Sequence, residues 1–293
     1  MMQDIAALQY LYGANFEGDD SRYTFSPQTG EMFINGKGQG KPVGKRIFRT
    51  IWDGGGKDIY DFSNYSRNLI IDLNPGGWSD LDAGGNRQKA ILQGEGNGGV
   101  KYAGGHVYNA LKYKNDPRSL IESAIGGSKH DQITGNRIGN NIYGNEGNDE
   151  INGKGGRDYL EGVLSKAILP GRGEKDILTG GAGQDTFSLG SAEKLFYSDR
   201  NPFTSGRKDY ALITDFTAGD KIQLFGQVAD YHLKPNDSVG SPAATGFGLY
   251  RNDGFGLGAT AGLDASDEFI ALIQIRDGSG LSLTNYSQLT YLS

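Results

Sequence analysis

Five aspartates occupy one place in a nine-residue pattern: Asp131, Asp149, Asp158, Asp176 and Asp185. Each is the sixth residue of a unit that opens on glycine, at Gly126, Gly144, Gly153, Gly171 and Gly180. Gly135 and Gly162 open two further units, whose sixth residues are Asn140 and Ala167. The eighth residue is apolar throughout: Ile133, Ile142, Ile151, Leu160, Leu169, Leu178 and Phe187. Repeated carboxylates beside glycine-rich turns offer oxygen acceptors. A hard divalent cation, Ca²⁺ above all, takes six to eight such oxygens.

The spacing dictates the elements that would hold these oxygens. The first six residues of a unit turn sharply, and glycine permits the positive φ that such a turn requires. The last three form a short strand whose eighth side chain points inward. Two units make one turn of a parallel β-roll, so unit n stacks on unit n+2, and loop carbonyls and carboxylates converge between stacked loops. One stack then holds Asp131, Asp149, Ala167 and Asp185; the other holds Asn140, Asp158 and Asp176. Cages with two carboxylates are expected at Asp131/Asp149 and Asp158/Asp176, a weaker cage at Asn140/Asp158, and none where Ala167 stands. The other candidate loop ligands are Gly127, Lys129, Asn136, Ile138, Gly144, Glu146, Gly153, Lys154, Gly155, Gly156, Gly171, Gly173, Gly180 and Ala182. The last unit, GGAGQDTFS from Gly180 to Ser188, fits the pattern G-G-x-G-x-D-x-U-x in full, U being apolar.

Composition agrees. The 48 glycines lack a three-residue period and Pro numbers only 8, which excludes collagen; 16 Tyr and 13 Phe are too many for a solvating tail. A net charge of −6 excludes an ordinary nucleic-acid binder and suits a cation partner. With no Cys there is neither a disulfide framework nor a thiolate metal site. No run approaches the ~20 apolar residues of a membrane helix, so no membrane span is expected. Met1 to Gly18 lacks the features of a classical signal peptide.

The flanks of the repeats carry a family resemblance. Asp4-Ile-Ala-Ala-Leu-Gln-Tyr-Leu-Tyr-Gly-Ala-Asn15 resembles the segment that closes the protease domain of serralysin-type M10 metalloproteases, and Trp52-Asp-Gly-Gly-Gly-Lys-Asp-Ile-Tyr-Asp-Phe-Ser63 the lead-in to their RTX β-roll. Ile121-Glu-Ser-Ala-Ile-Gly-Gly127 is similar to the start of their repeats, and Asp215-Phe216 with Gly219-Asp-Lys-Ile222 to the strand that follows. The resemblance implies two more calcium sites. One would use Asp53, Gly55 and Asp58 with carbonyls of Glu17, Asp19 and Ser21; the other would share Asp58 with Gly56, Leu120 and Glu122. The family's zinc motif H-E-x-x-H-x-x-G-x-x-H is missing, because His106, His130 and His232 are not spaced to share a helical face. The chain therefore looks like a serralysin C-terminal region without the catalytic domain, and no enzymatic activity is expected of it.

The expected fold is all-β: a short N-terminal helix, a parallel RTX β-roll, and a C-terminal antiparallel, β-sandwich-like cap. Residues 1–46 read as helix and linker from the end of a protease-like domain, 47–125 as an irregular β lead-in, 126–190 as the roll, and 191–293 as the cap. By resemblance, that last region holds a type I secretion signal. Gly36-Lys-Gly-Gln-Gly40 and Gly94-Glu-Gly-Asn-Gly98 read as turns, since neither precedes an amphipathic helix. The leading functional expectation is a secreted, extracellular module that folds on Ca²⁺ after leaving through a type I secretion transporter. The alternative is an extracellular adhesion, surface-layer or glycan-binding protein, with the exposed aromatics and the Gly76 to Pro117 insert as the contact surface for a cell-surface or glycan ligand. A polysaccharide-acting enzyme would need an acid–base cluster outside the calcium loops.

Overall fold

The computed structural model describes residues 1–93, 99–198, 206–240, 242–252, 267–285 and 287–292. The Gly94–Gly98 turn lies outside them. Contacts divide the chain into two compact units, Met1–Ile142 and Tyr143–Ser293. The architecture is all-β with one α-helix, Met2–Tyr12.

In the first unit the helix ends at Gly13, where φ is +82°. Its apolar side chains Leu8 and Tyr12 are exposed, and only Gln9 is buried along it. Strands Ser123–Ile125, Ile59–Asp61 and Arg22–Phe25 pair in parallel, and Arg22–Phe25 continues antiparallel into Met32–Ile34. Met32–Ile34 turns into Lys37–Gly38 through Asn35 and Gly36, at φ +50° and +77°. Two left-handed residues make the tight hairpin turn that matches strand twist, so Gly36 is a hairpin residue and not part of a phosphate loop. A second pairing, Ile70–Asp72 with Gln132–Thr134, is also parallel. Phe25, Tyr60, Phe62, Ile71, Ala124 and Ile133 fill the interior.

The second unit is built of two parallel walls. One orders Tyr159–Glu161, Thr186–Ser188, Lys221–Phe225 and Leu289–Leu292. The other orders Glu150–Asn152, Lys175–Thr179, Tyr210–Phe216 and Glu268–Ile275. Each wall contributes one inward row, Leu160–Phe187–Ile222–Leu289 and Ile151–Leu178–Ile213–Ile273, all buried. Phe187 meets Phe216 across the interior at 6.2 Å. The roll thus continues in parallel through the C-terminal segments. The antiparallel part of the cap is Ala244–Arg251 and Tyr231–Val239, added beyond Glu268–Ile275. Its outer strand carries Lys234, Pro235 and a bulge before Asp237, devices that discourage edge-to-edge pairing.

One expected register is corrected. Ile151 pairs with Leu178 and Leu160 with Phe187, each 27 residues on, where two nine-residue units would give 18. The nine extra residues come from the degenerate unit. Gly162 takes the first position of a coil whose sixth position is Asp176: a Cβ on Gly162 would lie 2.4 Å from Asp176 Oδ2. Residues between them leave the wall. Ala167 therefore does not stand between Asp149 and Asp185, and Leu169 is not a fully buried inward residue like the other six eighth-position side chains. The physical reason is that Val163 is buried beside Gly171 and Tyr197, while Leu164, Ser165 and Lys166 replace the small residues of a tight loop.

Candidate oxygen-ligand sites

In the second unit the true stacks are Asp149 with Asp176, and Asp158 with Asp185. Asp149 N–H donates to Asp176 Oδ1 at 2.7 Å, and Asp158 N–H to Asp185 Oδ1 at 2.9 Å. The ladder continues past the repeats, with Asp185 N–H on Asp220 Oδ1 at 2.9 Å and Gly180 N–H on Asp215 Oδ1 at 2.9 Å. The expected Asp158/Asp176 cage is thus corrected to Asp158/Asp185.

The first-position glycines are needed for space. A Cβ at Gly144, Gly153 or Gly180 would fall 2.3–2.4 Å from Oδ2 of Asp149, Asp158 or Asp185. Positive φ belongs to the second and fourth positions instead: Asn145, Lys154 and Gly181 at +84°, +74° and +97°, and Gly147, Gly156 and Gly183 at +132°, +115° and +150°. There the loops themselves pair, Gly155–Gly156 on Ala182–Gly183, and a Cβ on Gly183 would lie 1.5 Å from Gly156 O. Asp158 and Asp185 therefore face each other across two closely seated, backbone-rich loops that include Gly153, Lys154, Gly180 and Ala182.

The Asp149/Asp176 rung is differently furnished. Asp176 Oδ2 accepts the Tyr197 hydroxyl at 2.6 Å, and burial pushes the Asp176 carboxyl up to about 7 against the Asp149 N–H. Glu174 sits alongside: Oε1 accepts Gly147 N–H at 3.2 Å, while Oε2 is buried without a hydrogen-bond partner among the described residues. Burial raises Glu174 to about 7, with Asp176, Glu146 and Asp209 adding repulsion. Asp209 Oδ2 accepts the Gly173 N–H at 3.2 Å. Gly171, at φ +75°, packs on Tyr197 and Val163. In the excursion, Lys194 Nζ donates to the carbonyls of Lys166 and Ala167 at 3.2 and 2.6 Å, a side-chain cation on loop carbonyls.

In the first unit the structure gathers the residues around Asp58. Asp58 is fully buried; Oδ1 accepts Ser21 N–H at 2.9 Å, and its own N–H donates to Glu122 Oε2 at 2.7 Å. Asp53 Oδ2 accepts the Tyr23 hydroxyl at 2.6 Å, and Oδ1 accepts Gly55 N–H at 3.2 Å. Cβ atoms on Gly54 and Gly56 would meet the carbonyls of Glu17 and Asp19 at 2.9 and 2.8 Å, so both carbonyls lie against this turn. Leu120 is buried, and Glu122 N–H returns to Asp58 O at 3.2 Å. Burial, then Asp53, pushes Asp58 up to about 8, and burial also raises Glu122. Asp58 Oδ2 has no hydrogen-bond partner among the described residues.

The early repeat loops differ from one another. Asp131 takes Gly127 N–H at 2.5 Å and Leu69 N–H at 2.7 Å, and burial raises it to about 7. Asn136 N–H bonds Asn140 Oδ1 at 2.7 Å, and the Asn136 amide donates to Leu73 O and Ile121 O. Amides thus occupy carbonyls that a cation would use there. Lys129 is exposed and Ile138 half-buried. Among the three histidines, His106 is buried between Leu81 N–H, on Nδ1, and Arg87 O, beside Nε2; His130 is exposed.

Sequence reading missed Glu174, Tyr197, Asp209, Asp215 and Asp220. A signal existed for Asp220, since Asp220-Lys-Ile222 repeats the spacing of Asp185-Thr-Phe187. Calcium fits these donors: they are carboxylate and carbonyl oxygens, and among the described residues Asp58 Oδ2 and Glu174 Oε2 are buried without a hydrogen-bond partner. Among the described residues no three acidic or histidine side chains form a metal group by themselves, so backbone carbonyls would supply much of the shell.

Comparison with known proteins places these features. Residues 14–92 match the family described as Peptidase M10 serralysin C terminal. Serralysin G of Dickeya chrysanthemi is 40% identical over 141 residues, 47% of this chain and 24% of that protein. Metallopeptidase AprA of Pseudomonas marginalis is 35% identical over 144 residues, 48% of this chain and 24% of that protein. Serralysin of Photorhabdus luminescens is 32% identical over 144 residues, with the same shares. The matches span about a quarter of the length of these relatives. Residues 14–92 are thus similar to the C-terminal region of serralysin-type M10 metalloproteases.

Proposed function

We propose that this chain is a calcium-dependent folding module of a secreted serralysin-like protein, in which Ca²⁺ replaces protons on stacked, buried carboxylates. The observation that supports it most is the Asp158/Asp185 rung, with both carboxyls buried between directly paired glycine loops. Asp58, Asp176 and Asp185 have no ion-pair partner among the described residues, so their charge needs another counter-ion. In metal-free surroundings the ladder repels itself and the glycine-rich chain stays loose. At extracellular calcium, sites of about 10⁻⁴–10⁻³ M affinity fill, and binding drives folding by mass action. Such a chain is suited to passing a type I transporter unfolded. No helix among the described residues is long and apolar enough to cross a membrane.

Circular dichroism of the purified chain under calcium titration tests the proposal. β-Structure should be lost in EGTA and regained in millimolar Ca²⁺, with Mg²⁺ a poor substitute because it demands a smaller octahedron. Spectra indifferent to calcium would overturn it.

A further inference from the structure

A polar cavity of about 260 Å³ opens in the first unit. Its wall includes Lys45, Arg67, Arg87 and one carboxylate, Asp82. That carboxylate is already engaged: Arg67 Nη1 donates to Oδ1 at 2.6 Å and Arg87 N–H to Oδ2 at 2.9 Å. Among the described residues the Lys45 ammonium and the Arg87 guanidinium have no ion-pair partner. Two uncompensated cations thus border one cavity in a chain of net charge −6.

The wall is also built under constraint. Lys45 and Gln88 are non-glycine residues at φ +60° and +58°, and both line the cavity. Such backbone is strained and collects where the surroundings fix a ligand site. Gln88 is fastened on both sides, its Nε2 donating to Ser26 O at 3.1 Å and its carbonyl accepting Ile47 N–H at 2.6 Å. The buried Tyr65 hydroxyl, on another lining residue, has no partner among the described residues. Gln28 and Ser66 add neutral polar groups.

We propose that this cavity binds a small polyhydroxylated carboxylate of about one sugar ring, of the uronate class. Its carboxylate goes to Lys45 and Arg87, and its hydroxyls to the neutral polar wall. The volume lies just below the roughly 300–1,000 Å³ of drug-sized ligand sites, which suits a monosaccharide acid. Two cations match a single carboxylate, and neutral donors and acceptors match hydroxyls better than a second charge.

The test is calorimetry or saturation-transfer NMR on the full calcium-loaded chain with D-galacturonate, D-galactose and inorganic sulfate as separate probes. Galacturonate should bind at least about tenfold tighter than galactose, and added salt should weaken it. Arg87→Ala and Lys45→Gly should each weaken galacturonate about tenfold, while Lys37→Ala, outside the cavity, should not. Glycine suits the left-handed backbone at position 45, so Lys45→Gly removes the ammonium without threatening the fold, and Arg87→Lys should retain part of the binding. No galacturonate binding, equal binding of galactose, or indifference to both charge-removing variants overturns the proposal. Sulfate binding as tightly, with the same sensitivity to the variants, also overturns it and marks an adventitious ion only.

Discussion

Replacing Asp185 with asparagine separates charge from shape at the best-formed rung. Asp185 is 1% exposed, and Oδ1 accepts the Asp158 N–H at 2.9 Å. Burial pushes its carboxyl up to about 6, Asp220 and Asp215 add to the rise, and the Asp158 N–H opposes it. A carboxyl raised from 3.8 contributes stability that is complete below pH 3.8 and lost as pH climbs through 6. At 1.36 kcal/mol per pH unit, the loss is about 3 kcal/mol of metal-free stability by pH 8. Asparagine stays neutral and escapes that loss. It keeps an oxygen for Asp158 N–H, and the loss of charge assistance in that bond is already included in the net rise to about 6.

In EGTA at pH 8, Asp185→Asn should therefore be about 3 kcal/mol more stable than the parent chain. In millimolar calcium the order should reverse, because the variant has lost a charged ligand. Urea unfolding followed by circular dichroism, with and without EGTA at pH 5 and 8, reads both signs. The EGTA difference should shrink at pH 5, where the parent carboxyl is mostly protonated. A variant less stable than the parent in EGTA at pH 8 would show that charge is not what strains the empty rung. Equal calcium stabilisation of both proteins would remove Asp185 from the ligands.

Three further outcomes follow from the same geometry. With Asp58 held up to about 8 and Asp131, Glu174 and Asp176 to about 7, the metal-free chain should lose stability from pH 5 to pH 8, and calcium uptake at pH 7 should release protons measurable with an indicator dye. Gly183→Ala should abolish the calcium response of its rung and lower Tm, since its Cβ would fall 1.5 Å from Gly156 O at φ +150°, where backbone strain alone is roughly 1–3 kcal/mol. Ala167→Asp should leave calcium stoichiometry unchanged in calorimetry, because position 167 has left the wall; an added ion would restore the 18-residue register.

Why the sequence revealed the roll and misplaced one rung follows from what a period records. Gly126 to Phe187 announce both walls, because each eighth-position apolar side chain must face inward and each sixth-position carboxylate must reach the neighbouring loop. A period carries phase, however, and an insertion of one whole period leaves the phase intact. Residues between Gly162 and Asp176 contain such an insertion, so the count stays regular while the chain departs from the wall. The clues to the departure are chemical: Val163 and Leu164 stand where a tight loop needs small residues, and Pro170 stands where a wall strand would end. Tyr197 and Lys194 could not be read at all, since their partners Asp176 and the carbonyls of Lys166 and Ala167 lie 21 to 28 residues away outside any repeat. The excursion also explains the chemistry at its base. Where the loop leaves, a hydroxyl and an ammonium from the returning chain meet an acid and two carbonyls. A rung furnished that way should depend less on calcium than its neighbour at Asp158 and Asp185, which lies at directly paired loops with Asp220 and Asp215 adding repulsion at Asp185.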